Sequence, residues 1–143
     1  MLKGIPKLVS PELLKILCEM GHGDEIVIAD ANFPSQNYGK RVIRADGLSG
    51  TQMLDAVMSL LPLDTYADAN FVLMELVDSD KGKVNPTIWD EYTEIAKKHD
   101  ENLRVGKMER FAFYQRAKEA YAVIATGEEA IYANIIIKKG VIK

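Results

Sequence analysis

Helical and strand-like signals alternate along almost the whole chain, and this alternation restricts the fold to a sheet covered by helices. Ser10-Pro11-Glu12 reads as a helix start. Serine supplies an N-cap oxygen, proline suits the first helical position, and glutamate suits the positive end of the helix dipole. Leu13, Leu14, Leu17 and Met20 then recur at helical spacing, and Gly21, free to adopt φ > 0, stops the helix. Glu25 to Ala29 is a short β-rich run that predicts a buried strand. Residues 30–46 are looser, with Pro34, Ser35, Asn37 and Gly39 as loop signals and a short strand over Arg41 to Arg44.

Gly50-Thr51 opens a second helix carrying Met53, Leu54, Val57, Met58 and Leu61, which Pro62 stops. Phe71 to Val77 predicts a strand, and Asp78 to Asn85 a polar loop. Asn85-Pro86 starts a third helix with Ile88, Trp89, Tyr92 and Ile95 on its apolar side. A strand near Leu103 to Val105, a helix near Glu109 to Ala120, and closing strands over Tyr121 to Ala125 and Ala133 to Ile137 complete the reading. The expected class is α/β, with a mostly parallel sheet flanked by helices. The 143 residues contain no linker or composition shift, so the expectation is a single domain over 1–143. Ala-Asp-Ala-Asn-Phe occurs at 29–33 and again at 67–71. The first copy follows a predicted strand and the second precedes one, so this reads as coincidence and not duplication.

Composition narrows the partners. A formal net charge of -3 with no long block of one sign argues against nucleic acid or an anionic membrane. The basic residues Lys138, Lys139 and Lys143 are too sparse to reverse that. Cys18 is the only cysteine, so no internal disulfide can form, and a reducing cytoplasm is the expected compartment. The N-terminus lacks the pattern of a signal peptide, and the apolar runs are far shorter than a membrane span.

Several kinds of chemistry find no support in the residues. Gly21-His22-Gly23 lacks the third glycine of a dinucleotide loop and precedes a strand instead of a helix. His22 and His99 lie far apart, and Cys18 with His22 is a weak metal pair. No serine occupies a Gly-x-Ser-x-Gly turn. Acid–base groups remain. His22 lies between two glycines just past a helix end, where the dipole, Asp24 and Glu25 would favour the imidazolium. It reads either as a general acid or as a cap for the last helical carbonyls. Asp30 ends a strand, where open α/β sheets gather ligands, or it is a turn aspartate. Arg110 and Tyr114 are four apart on a helix and suit a sugar, or they are a solvated arginine beside core aromatics. Tyr132 and Asn134 lie two apart in a strand-like run and so share a face, and Asn134 needs polar partners if buried. Asp64, after Pro62-Leu63, also reads as a loop cap.

Six segments together carry a resemblance. They are Met20-Gly21-His22-Gly23-Asp24-Glu25-Ile26, Ala29-Asp30-Ala31-Asn32-Phe33-Pro34, Arg44-Ala45-Asp46-Gly47-Leu48, Leu61-Pro62-Leu63-Asp64-Thr65-Tyr66, Arg110-Phe111-Ala112-Phe113-Tyr114 and Thr126-Gly127-Glu128. In this order, nearly end to end, they resemble the fucose mutarotase branch of the RbsD/FucU family. The resemblance implies an α/β sheet, ring-like homo-oligomers up to decamers, active sites near subunit contacts, and neither metal nor organic cofactor. It implies a monosaccharide substrate, L-fucose, with D-ribose the alternative. By the same resemblance His22 is the proton donor, Asp64 and Tyr114 are further acid–base groups, and Asp30, Met74, Arg110, Tyr132 and Asn134 are substrate-binding. Ala133 departs from the fucose pattern, which has glycine there; Tyr132-Ala133-Asn134 is similar to the ribose pyranases. Arg110 to Tyr114 follows the fucose branch. A sugar-binding ring protein without catalysis is the remaining alternative, and it would leave His22 dispensable.

Overall fold

The computed structural model describes residues 1–143. Its helices are α1 (Pro11–Glu19), α2 (Ser35–Tyr38), α3 (Gly50–Met58), α4 (Ile88–His99) and α5 (Arg110–Glu119). Its strands are β1 (Glu25–Ala29), β2 (Val42–Ala45), β3 (Phe71–Met74), β4 (Val105–Met108), β5 (Ala122–Thr126) and β6 (Ile135–Lys138). The caps follow the sequence. Ser10 Oγ accepts from the Leu13 N–H at 3.1 Å, and Ser49 with Gln52 forms a capping box at the start of α3. Several boundaries differ from expectation. β3 stops at Met74, β4 begins only at Val105, α3 ends at Met58 before Leu61, and α4 begins at Ile88. The loop signals near Pro34 also conceal the short α2.

All six strands form one sheet in the order β2-β5-β1-β6-β3-β4. β1, β5 and β2 pair in parallel, as do β3 and β4, while β6 runs antiparallel to both of its neighbours, β1 and β3. The sheet is therefore mostly parallel, with one reversed strand near its middle. The connection from β5 to β6 dictates the reversal. Residues 127–134 contain no helix, and a parallel return would need a longer crossover. Because β5 and β6 lie on opposite sides of β1, this segment arches across the carboxyl end of β1.

Apolar side chains alternate between two cores. Ile26, Ile28, Ile124, Ile135 and Ile137 pack with α1, α3 and α4 on one face. Val27, Ala29, Val123 and Ile136 pack with Phe33 and α5 on the other. Burial on both faces explains why β1, β5 and β6 read as continuous apolar runs.

Candidate active site

Asp30 leaves β1 beneath the arch and is 5% exposed. Its Oδ1 accepts from the Asn32 N–H at 3.0 Å, and its Oδ2 lies 3.4 Å from the Ala133 N–H. Its own N–H donates to Asn134 Oδ1 at 2.8 Å. Asp30 is thus both a turn aspartate and a group tied into the arch. Burial pushes its carboxyl above the ordinary carboxylate range, against the opposing effect of these hydrogen bonds.

The arch itself is pinned from α4. Trp89 Nε1 donates to Tyr132 O at 2.8 Å, and the Tyr92 hydroxyl donates to Ala133 O at 3.0 Å. Tyr132 takes φ 59, in the left-handed region. Tyr132 and Asn134 therefore precede β6 in a turn and do not share a strand face, as their spacing had suggested. Both nevertheless face the same pocket. Asn134 is buried, and the Asp30 N–H is the partner its side chain required.

α5 supplies the opposite wall. Glu109 accepts from the N–H groups of Phe111 and Ala112, each at 3.0 Å, which anchors the helix start and lowers the Glu109 carboxyl. One turn apart, Arg110 Nε donates to the Tyr114 hydroxyl at 3.3 Å. The Tyr114 ring stands edge-on to Phe33 with centroids 5.2 Å apart. Phe113, edge-on to the same Phe33 ring with centroids 6.1 Å apart, is fully buried.

These groups enclose a pocket of about 240 Å³. The pocket brings together Asp30, Met74, Arg110, Tyr114, Tyr132 and Asn134. It also contains Asn32, Phe33, Val77, Asp80 and Ile131, which sequence reasoning did not single out. Phe33 lies within a segment that carried the family resemblance. Asp80 lies in the polar loop after β3, where no periodicity marks one residue over another.

His22 and Asp64 are elsewhere. Asp30 follows β1 and His22 precedes it, so the length of that strand, roughly 15 Å, separates them. His22 Nε2 and Asp64 Oδ1 are 3.0 Å apart, and the His22 and Tyr66 rings pack with centroids 5.4 Å apart. Gly23, and not Gly21, takes the left-handed conformation beside His22, at φ +88, while α1 ends with Met20 in extended backbone. The expected electrostatic neighbours differ. Asp24 accepts from the Gly21 N–H, and Glu25 pairs with Arg116, so Asp64 is the carboxylate bonded to the imidazole. Lys139 Nζ, and not His22, reaches the terminal carbonyls of Leu17 and Met20. The Asp64 carboxyl also accepts from the Tyr66 N–H, so its loop-cap role coexists with the histidine bond.

A polar, aromatic-lined pocket at the carboxyl ends of parallel strands defines this as a small-molecule-binding α/β protein. The chain belongs to the RbsD/FucU family: residues 3–142 match the model described as the RbsD / FucU transport protein family. It is 55% identical to the fucose mutarotase of Mus musculus over 143 residues, covering 97% of this chain and 94% of that protein. Among solved structures it resembles FucU from Bifidobacterium longum, with TM-score 0.94 and 54% identity over 99% of this chain and 100% of that one. It also resembles the fucose mutarotase of Streptococcus pneumoniae in complex with L-fucose, with TM-score 0.92 and 47% identity over the same shares. RbsD of Bacillus subtilis complexed with D-ribose is more distant, with TM-score 0.72 and 25% identity over all of both chains.

Proposed function

We propose that this protein interconverts the α and β anomers of L-fucose by opening and reclosing the pyranose ring. The observation that carries this reading is the pocket's composition, in a chain 55% identical to a fucose mutarotase. Asp30, Arg110, Tyr132 and Asn134 offer donors and acceptors to the sugar hydroxyls. Met74, with Phe33 and Ile131, offers an apolar wall for the methyl of a 6-deoxy sugar. Ring opening removes the proton of the anomeric hydroxyl and protonates the ring oxygen. The aldehyde carbon then rotates and the ring recloses. Each step is proton transfer and positioning, which acid–base side chains supply. In this mechanism His22 donates the proton, with Asp64 and Tyr114 assisting.

Such roles require His22 and Asp64 to reach a pocket one strand length away. We infer a homo-oligomer, ring-like and up to a decamer, in which the His22–Asp64 end of one subunit closes the pocket of another. Exposed apolar residues at both ends support this: Phe111 and Ile131 near the pocket, Tyr66 beside His22. The compartment we assign is the reducing cytoplasm, in keeping with an exposed free Cys18. No helix is long and apolar enough to cross a membrane.

Ala133 is the residue that favours a ribose pyranase instead. Its methyl packs in the larger core and not against the pocket, so it leaves the sugar-facing wall unaltered. Saturation-transfer NMR on L-fucose and D-ribose tests the proposal, because it reports exchange between sugar forms directly. The expected result is catalysed exchange of the L-fucose anomers. Preferential exchange of ribose forms would indicate the pyranase, and sugar binding without exchange would indicate a binding protein.

A further inference from the structure

The loop after β3 braces itself before it reaches the pocket. Asp80 N–H donates to Val77 O at 2.9 Å, and the N–H groups of Lys83 and Val84 donate back to Asp80 O at 3.0 and 2.9 Å. These turns hold Asp80 at the pocket wall beside Val77 and Tyr132. The Tyr132 hydroxyl donates to Asp80 Oδ2 at 2.5 Å and accepts from the Val77 N–H at 3.3 Å. A phenol has one proton to donate, and its oxygen also accepts. Asp80 takes the proton, and the Val77 N–H makes only a long contact at 3.3 Å. A ligand therefore meets this oxygen only as an acceptor.

We infer that Asp80 is a positioning residue of the sugar pocket: by taking the only proton of the Tyr132 hydroxyl, it fixes that hydroxyl as an acceptor for a donating sugar hydroxyl. This inference rests on the sugar-site reading of the pocket. The clamp has backbone support on the other side of the same residue. The left-handed φ of Tyr132 is held by the Trp89 bond to its carbonyl, so main chain and side chain are fixed independently. The electrostatics agree with the geometry. Burial and then the Asp80 hydrogen bond raise the Tyr132 phenol above its ordinary value, while Arg110 across the pocket works the other way. With Asp80 ionised, the phenol keeps its proton and keeps it directed at Asp80. A sugar carbon lacking a hydroxyl at that position would forgo this contact, and a group that can only accept would meet no proton there, so the clamp makes the pocket selective.

The test uses the full chain labelled with 13Cζ-tyrosine, comparing the parent, Asp80→Asn, Tyr132→Phe and the double variant. The Tyr132 resonance is the one missing from Tyr132→Phe. In Asp80→Asn it should shift at neutral pH, and its alkaline step should move to lower pH, because a carboxylate disfavouring the phenolate is gone. In saturation-transfer assays on L-fucose, Asp80→Asn should raise KM roughly threefold to tenfold with little change in kcat. Added to Tyr132→Phe, it should change KM by less than about twofold, since the partner it acts through is absent. A Tyr132 resonance unmoved in Asp80→Asn overturns the clamp, whatever the sugar result. Equal KM losses in both backgrounds overturn action through Tyr132. A moved resonance in a protein whose parent exchanges no sugar overturns the sugar-site reading while the clamp stands. A far-UV spectrum and thermal melt matching the parent confirm that each variant is folded.

Discussion

One ring nitrogen of His22 is tied to Asp64, while its side chain stays 44% exposed. A carboxylate on one nitrogen orients the imidazole and leaves its other edge available for proton exchange. His22→Ala should therefore fold normally and lose about 10²–10⁴-fold in anomer exchange by saturation-transfer NMR. A loss below about threefold would contradict a general acid that normally contributes so much. Arg110→Ala should chiefly raise KM, because its proposed contacts exist in the ground state as well; an unchanged KM with a collapsed kcat would reassign it to the chemical step. Asp64 supports an expectation about stability. Burial works to raise its carboxyl, but the Tyr66 N–H, the His22 bond and the charges of His22 and Lys138 hold it below its ordinary 3.8. The unfolded chain therefore takes up the proton at higher pH than the folded protein. Stability due to ionised Asp64 is fully present above 3.8 and is lost as pH falls through the lower folded value. Asp64→Asn should be less stable than the parent at neutral pH, and urea denaturation of the two should converge on acidification below 3.8. A gap that widens with acid would contradict this assignment. Residues of this kind were legible to different degrees. Two glycines made His22 visible in the sequence, and a polar residue before an apolar run made Asn134 visible. The His22–Asp64 bond spans 42 positions and Asp30 meets Asn134 across 104, which no local pattern records. Asp80 was illegible because its neighbours are also polar and only the fold selects it.

Element by element, the sequence was most readable where apolar residues recur at helical spacing, as at α1, α3 and α4, and at α1 the Ser10 cap marks the start as well. α2 has four residues and no side-chain cap, too short for a periodic signal, and it is held by packing against α5 and β5. β6 was visible as a strand, but its direction depended on the length of residues 127–134, a fact about connections and not about residue types. That connection makes α4 a functional support. Its Trp89 and Tyr92 side chains hold consecutive carbonyls of the arch that carries Tyr132 and Asn134. Tyr92 is fully buried, and its burial raises the phenol, so the hydroxyl stays a donor. Tyr92→Phe removes the bond to Ala133 O and should cost about 1–3 kcal/mol, read as a lower urea midpoint at unchanged slope. Sugar affinity should fall with it, because the arch loses one of its two ties to α4. A variant with parental stability and affinity would mean that Trp89 alone positions the arch.

At the scale of the whole molecule, β6 accounts for the buried Ile135, Ile136 and Ile137, while Ile131 and Ile142 stay 52% and 87% exposed. Exposed apolar surface late in the chain is therefore confined to a few residues outside the strand, and Ile131 among them lies beside the pocket. The two halves of the proposed acid–base machinery occupy opposite ends of the sheet, so a site built from one chain and a site built from two make different predictions. In the shared arrangement, His22→Ala subunits keep an intact pocket and Arg110→Ala subunits keep an intact histidine end. Each homogeneous assembly should be nearly inactive at limiting sugar. Co-expressed in equal amounts, they should assemble at random, and about a quarter of sites should then pair an intact pocket with an intact histidine. Anomer exchange should recover toward that fraction of the parental rate, and light scattering should report one oligomer size for parent and mixture. A protein whose activity resides within each chain would recover nothing on mixing, because every subunit would remain defective in its own site. A monomer active at micromolar concentration would also exclude the shared arrangement, and would require the loop carrying His22 to cross the length of β1 within one chain.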